Sequence, residues 1–490
     1  VGGRAPSTWN GLRAAAALVV TCGCAARSGA GAPTASVAAP AGAPPGPARA
    51  TVAAPSWIRD LETELATLRA LPFKRDVPFG TQSRAAFRAR VHDELAHDLP
   101  AARAGNMSRA YGAMGFIPVG FDLVKAMEDA FSTDVAAYYD PKQREFEFVG
   151  STGTSRDAAQ VGTVAIHELA HALQDQNFDL LRFEGEEPAV ELDDDQRLAR
   201  RCVVEGEATF LMMAHEMGSG PPAARRVGPL AVAGLRMNLM MLAAADMIDL
   251  LSSMREGMPA QSLDEDERAD LAAIERLPVF VTLPMIEPYF KGALFVSELW
   301  AAGGWPAVDA VYRAPPDSTE QVLHPVEKYL HRRDPPVRIR LPPEVTKAPL
   351  PGAALLVEDT AGELGWRVYF RTWKVARGDR AAAGWGGDRL WGWAIGDRTI
   401  AVAATTWDTE DDAREFVDAY EETLASRFPR RTAMGTGHGG LRVDLRGGEI
   451  VAVELRGRDV DVVSGVTERE LEVIGPALRA ARREPLRSAP

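Results

Sequence analysis

The pentapeptide His167-Glu168-Leu169-Ala170-His171 constrains this chain more than any other segment. An α-helix advances by about 100° per residue, so residues four apart lie about 40° apart on one face. Both imidazoles then face one point, with Glu168 beside them. The near-duplicate His92-Asp93-Glu94-Leu95-Ala96-His97 carries one extra Asp. Its histidines are separated by about 140° and do not converge on a regular helix. Two neutral imidazoles are the usual start of a Zn²⁺ site, and a Glu after the first His is placed to take a proton from water at the open coordination position. The plain alternative is two unconnected histidines on a surface helix.

The surroundings favour the metal reading. In "TVAIHELAHALQDQ", Val164, Leu169 and Leu173 give the helix an apolar environment, which turns the histidines toward a protein interior. A catalytic zinc needs a third protein ligand. Downstream, "RRCVVEGEATFLMMAHEM" is helical and apolar except for the acidic pair Glu205 and Glu207. A carboxylate in such a run is costly unless it is paired or bound to metal.

"HELAH" followed by "VEGEA" resembles the HExxH zinc metallopeptidases whose third ligand is a Glu on a second helix (the gluzincin-like kind), often within an "EG-x-A" pattern. The longer "HELAHALQDQNFDL", with "LPF", "YYDP", "PPDSTEQVLHP" and "GWGGDR", is similar to a bacterial secreted or lipoprotein set of that kind, over most of residues 57–425. The resemblance implies zinc held by His167, His171 and Glu205, Glu168 as general base, and a peptide or protein substrate. Such peptidases place an acidic residue three or four positions after the ligand Glu to orient a histidine, whereas Ala208 and Thr209 stand here. Asp175 and Glu207 are the candidates for that orienting role, and Glu207 is also the alternative ligand. His324 is a candidate for stabilising an oxyanion, as a His or Tyr does in such peptidases, beside the plain reading of its stretch as a capped helix start. Tyr289 is a second candidate, beside core packing.

The expected architecture is a mainly α metallopeptidase domain with a small β-hairpin or sheet over 56–343, followed by a separate C-terminal α+β accessory domain over 353–485. The hairpin is expected at 135–149, where two β-rich runs flank "DPKQ". The proline-rich stretch 334–352 reads as a linker. Beyond it, "GELGWRVYFRTW" reads as helix, "RLWGWAIGDRTIAVAATTW" as two strands, and "TEDDAREFVDAYEETLASRF" as an amphipathic helix; short strands and a closing helix follow. "LAVAGLRMNLMMLAAADMIDLL" is apolar but carries Arg236, Asp246 and Asp249, so it reads as a buried core helix with methionines as filler. "GWGGDR" lacks the Lys-Ser/Thr of a phosphate loop and reads as a tight turn.

At the N-terminus, Arg4 and Arg13 precede a short apolar run, Ala14 to Val20, and then "TCGC". This is the layout of a secretory signal over 1–24, and Cys22 or Cys24 resembles the lipid-modified residue of a bacterial lipoprotein. Residues 25–55 are Ala-, Pro- and Gly-rich and read as a flexible tether. An extracytoplasmic protein, touching the membrane through a lipid alone, is the expectation. The net charge of −13 argues against a nucleic-acid partner. With three cysteines no disulfide framework is expected. The reading from a different class is a non-catalytic surface or binding lipoprotein that keeps the metallopeptidase fold.

Overall fold

The computed structural model describes residues 54–131, 137–150, 158–186, 192–217, 227–244, 267–430, 434–435 and 440–486. The expected signal segment, and the tether except its last two residues, lie outside these. Helix α1 (Ser56–Arg69) buries Ile58, Leu65 and Leu68, as its apolar spacing requires. The proline-broken segment after it ends in strand β1 (Phe79–Gln82). Helix α2 (Arg84–Asp98) starts at Ser83, whose hydroxyl accepts from the Ala86 N–H at 3.1 Å. It turns Phe87, Val91 and Leu95 inward and leaves His92 and His97 exposed, so the near-duplicate histidine pair does not converge.

Helices α3 (Ala101–Met114) and α4 (Leu123–Phe131) follow. The expected hairpin consists of β2 (Ala137–Asp140) and β3 (Glu145–Val149), antiparallel with Tyr139 opposite Phe146. Strand β1 joins β3 in parallel, giving the order β1-β3-β2 with β2 at one edge.

Helix α5 (Ala158–Phe178) runs through the centre of this first unit. Val164, Ala165, Ile166, Leu169, Ala170 and Leu173 are all buried, so the helix is enclosed rather than amphipathic. It packs against α6 (Asp194–Met217). Helix α7 (Pro229–Ala244) buries Val232, Leu235 and Leu239. Met237, Met240 and Met241 are more than half exposed, which corrects their reading as core filler: the described residues bury α7 on its Val232, Leu235 and Leu239 face.

Helix α8 (Val279–Arg313) crosses α6 at a pair of glycines. A Cβ on Gly206 would stand 2.1 Å from the Gly292 carbonyl carbon, and one on Gly292 would stand 1.9 Å from the Cys202 oxygen. Such backbone proximity admits no side chain. The helix bends at Gly303–Gly304, where Gly304 takes φ 64°, and Pro306 sits in the first turn after the bend.

The expected linker contributes a strand instead, β4 (Val337–Arg340). Strand β5 (Ala354–Asp359) leads to α9 (Gly362–Thr372). Strands β6 (Trp385–Ile395) and β7 (Arg398–Trp407) form a hairpin around Gly396-Asp397. Helix α10 (Glu410–Arg427) begins with a capping box between Thr409 and Asp412. Strands β8 (Met434–Gly435), β9 (Leu441–Asp444), β10 (Glu449–Arg456) and β11 (Asp459–Thr467) precede α11 (Glu468–Arg479) and β12 (Arg482–Pro485). The result is a seven-stranded antiparallel sheet, β5-β6-β7-β11-β10-β9-β8, with β12 pairing β4 beside it.

The sheet is buried on both faces. Trp391, Trp393, Ile400 and Val402 line one, and Leu390, Ala401, Ala403 and Val460 the other, following the two-residue alternation of strands. That second face is covered partly by the first unit. Ala110 of α3 lies against Gly392, where an added Cβ would come within 2.5 Å of the Ala110 Cβ. The Arg427 guanidinium donates to the Met114 and Ala113 carbonyls at 2.8 and 3.0 Å. The two units therefore share one core, around Phe116, Trp366, Tyr369, Trp385 and Phe416, rather than standing apart. Helices with one mixed and two antiparallel sheets make the described residues an α+β mixture.

"GWGGDR" is the bulged start of β6 rather than a tight turn. Its Asp388 is buried and accepts from the Ala361 and Gly362 N–H groups at 2.9 and 3.0 Å, and from the Trp366 and Trp385 indoles at 3.0 and 2.8 Å. Asn at 388 offers one acceptor oxygen and an NH₂ to donors that need two acceptors. Asp388→Asn is expected to destabilise the full chain by about 3 kcal/mol in a urea titration. A loss below about 1 kcal/mol would show that the carboxylate does not organise this corner.

Candidate metal centre

One turn of α5 carries His167 and His171, with their Nε2 atoms 3.2 Å apart and their rings at 87°. Helix α6 brings Glu205, fully buried, with its Oε2 3.3 Å from each of those nitrogens. Tetrahedral bonds of about 2.0–2.1 Å hold neighbouring ligand atoms roughly 3.3–3.4 Å apart. The triangle of two nitrogens and one oxygen has that size, and among the described residues this set can hold a metal ion.

The donor chemistry agrees. The Nδ1 of His171 is 2.9 Å from the Gln174 Oε1, an acceptor, so Nδ1 carries the proton and Nε2 keeps its lone pair. The His167 Nε2, His171 Nε2 and Glu205 Oε2 atoms face one another across a gap that a proton or a metal ion would bridge. Burial would raise the Glu205 carboxyl, but His171 and His167, when they carry the bridging proton, and Arg201 outweigh it and hold the group well below the usual carboxylate range. Arg201 sits one turn earlier on α6, its Nη2 3.7 Å from Glu205 Oε1.

Glu168 is 5% exposed, and its Oε2 accepts from the Tyr139 N–H at 3.0 Å. The edge strand β2 thus anchors the carboxylate of the residue that follows His167. Tyr289 of α8 stacks on His167, with centroids 5.6 Å apart and planes at 18°. Burial, with Glu205 nearby, pushes its phenol well above the ordinary tyrosine value.

The structure does not bring the other candidates together in the expected roles. Asp175 accepts from the Tyr139 hydroxyl at 2.8 Å and the Leu180 N–H at 3.2 Å, and does not orient His171. Glu207 follows Glu205 by two residues, about 200° round the helix, so the two cannot face one point. It pairs with Arg69, Tyr312 and Gln174, and is neither ligand nor direct histidine partner. His324 is 3.0 Å from Glu363 of α9, a carboxylate also held by Arg367.

The stretch around His324 joins the two units. Thr319 donates to Asp195 through N–H and hydroxyl, at 3.1 and 2.5 Å, while its oxygen accepts from the Leu364 N–H at 3.2 Å. Two residues beside the ligand group went unnamed in the sequence reading, Gln174 and Arg201. Helical phase marks both: one lies three after His171 and the other four before Glu205.

Residues 353–475 match a family described as a domain of unknown function, DUF8575. The match lies in the C-terminal unit, apart from His167, Glu168, His171 and Glu205. No curated protein and no solved structure matches the chain.

Proposed function

We propose that this chain is a zinc metallopeptidase, exported and held at a membrane by an N-terminal lipid. The observation that carries the reading is the buried triangle of His167 Nε2, His171 Nε2 and Glu205 Oε2, at 3.2–3.3 Å, with the buried Glu168 next to His167 in the chain. A mixed imidazole and carboxylate set suits Zn²⁺, and these three side chains would hold it. When bound, zinc supplies a Lewis acid that acidifies water and polarises a carbonyl. Glu168 takes the proton of the attacking water and passes it to the leaving amine, with its other oxygen steadied by the Tyr139 N–H. Tyr289 walls the His167 side, and its phenol, kept protonated by burial and by its hydrogen bond to Glu205, braces that ligand.

One observation favours a second reading, a surface protein that keeps the centre for binding or stability. His167, Glu168, His171 and Glu205 are each no more than 5% exposed, so peptide access requires movement. Metal analysis and a broad peptide library separate the two. The peptidase reading expects one zinc per chain, with cleavage abolished by a chelator and restored by zinc. A chain without zinc overturns it, and zinc without cleavage supports the second reading.

A further inference from the structure

The Gln174 amide stands between the metal group and a buried ion pair. Its oxygen faces His171 Nδ1 at 2.9 Å, and its nitrogen donates to the Val204 carbonyl and to Glu207 Oε2, both at 3.0 Å. Turned over, the amide would set its oxygen against two acceptors, so one orientation is available. Glu207, fully buried, also accepts from Arg69 Nε and the Tyr312 hydroxyl. Arg69, 1% exposed, donates to Asp309 at 2.6 Å and lies 4.4 Å from the Trp305 ring centroid. A continuous polar chain thus runs from α1 through α6 to the histidine on α5.

We propose that Gln174 is a positioning residue that fixes the tautomer and ring of His171, and that the Glu207–Arg69 pair sets its amide, so that metal affinity depends on the docking of α1. The proposal deepens the metal-centre reading and rests on it. Glu207 and the Val204 carbonyl together leave the amide no choice of direction. The amide leaves the imidazole no choice of tautomer, and Nε2 points its lone pair at the group. Loss of such an outer partner typically costs 10–100-fold in metal affinity.

The test uses the full chain and Gln174→Met, which keeps length and volume but loses the acceptor. Zinc affinity is read by chelator competition. The protonation of His171 Nδ1 is read by ¹⁵N NMR in the metal-free protein. We expect affinity about 10–100-fold weaker and the single Nδ1–H tautomer replaced by a mixture. Glu207→Gln, which is isosteric, should weaken affinity in the same direction by loosening the amide, which then keeps only the Val204 carbonyl as a fixed acceptor, and it decides the matter should Gln174→Met fail to fold. A parent whose His171 Nδ1 is unprotonated overturns the proposal, as does a folded variant with the parent's affinity and tautomer. A parent that holds zinc but cleaves no peptide removes the peptidase reading and leaves this one standing. If the parent binds no zinc, the tautomer comparison still decides the role of Gln174.

Discussion

Glu168→Gln is expected to lower kcat for peptide cleavage by about 10²–10⁴-fold, the range for a lost general base. Zinc content should stay at one per chain and KM should move little. The substitution is close to isosteric. Its amide oxygen can still accept from the Tyr139 N–H, which the carboxylate receives at 3.0 Å, so the side chain keeps its place. What disappears is the capacity to take a proton. Because the residue is 5% exposed, a neutral amide also removes a buried charge, and the unfolding midpoint should not fall. Cleavage within about 10-fold of the parent would assign the proton to another group.

The second large effect is structural and reaches the site indirectly. Gly206→Ala should destabilise the chain by about 3 kcal/mol or more, the upper end for overpacking. The added Cβ would meet Gly292 main-chain atoms at 2.1–2.5 Å, and neither backbone can turn aside as a side chain would. Helices α6 and α8 must separate. Glu205 adjoins Gly206 and Tyr289 lies one turn before Gly292, so zinc affinity should fall as well. Gly105→Ala is the control, a helical glycine with nothing within 4 Å of an added Cβ. It should be neutral or stabilise by about 0.5–1 kcal/mol. A Gly206→Ala chain that matches the parent in urea would disprove the close crossing.

Helical phase carried much of the information about the centre. Four-residue spacing puts His167 and His171 on one face whatever surrounds them, and the enclosing apolar residues turn that face inward. Strand alternation marked β6 and β7 through Trp391, Trp393, Ile400 and Val402. The orienting partner of His171 was harder to read, because a carboxylate was expected and an amide does the work. The role of Gln174 follows only from Glu207, and that of Glu207 only from Arg69, which is 138 positions away in sequence. His324 looked chemical in a stretch rich in polar residues. In the structure Thr319 and His324 pair with Asp195 and Glu363 across a joint, a pairing that local spacing does not express. The packing of α3 on the sheet was hidden for a similar reason: "AARAGNMSRAYGAM" shows no strong apolar stripe, and its small residues matter because Ala110 must fit against Gly392.

That fit has a consequence for how sequence families divide such chains. The family match ends at 353 and 475, yet the sheet inside it borrows one wall from residues 101–117 and its flank from 337–340 and 482–485. Excised alone, it would present Trp366, Tyr369 and Tyr420 to water. In this chain the wall is supplied from outside the module, by a short helix whose Ala110 fits against Gly392. The module is then better understood as a socket than as a self-sufficient domain, and the helix that fills it links whatever chemistry the rest of the chain performs to the sheet.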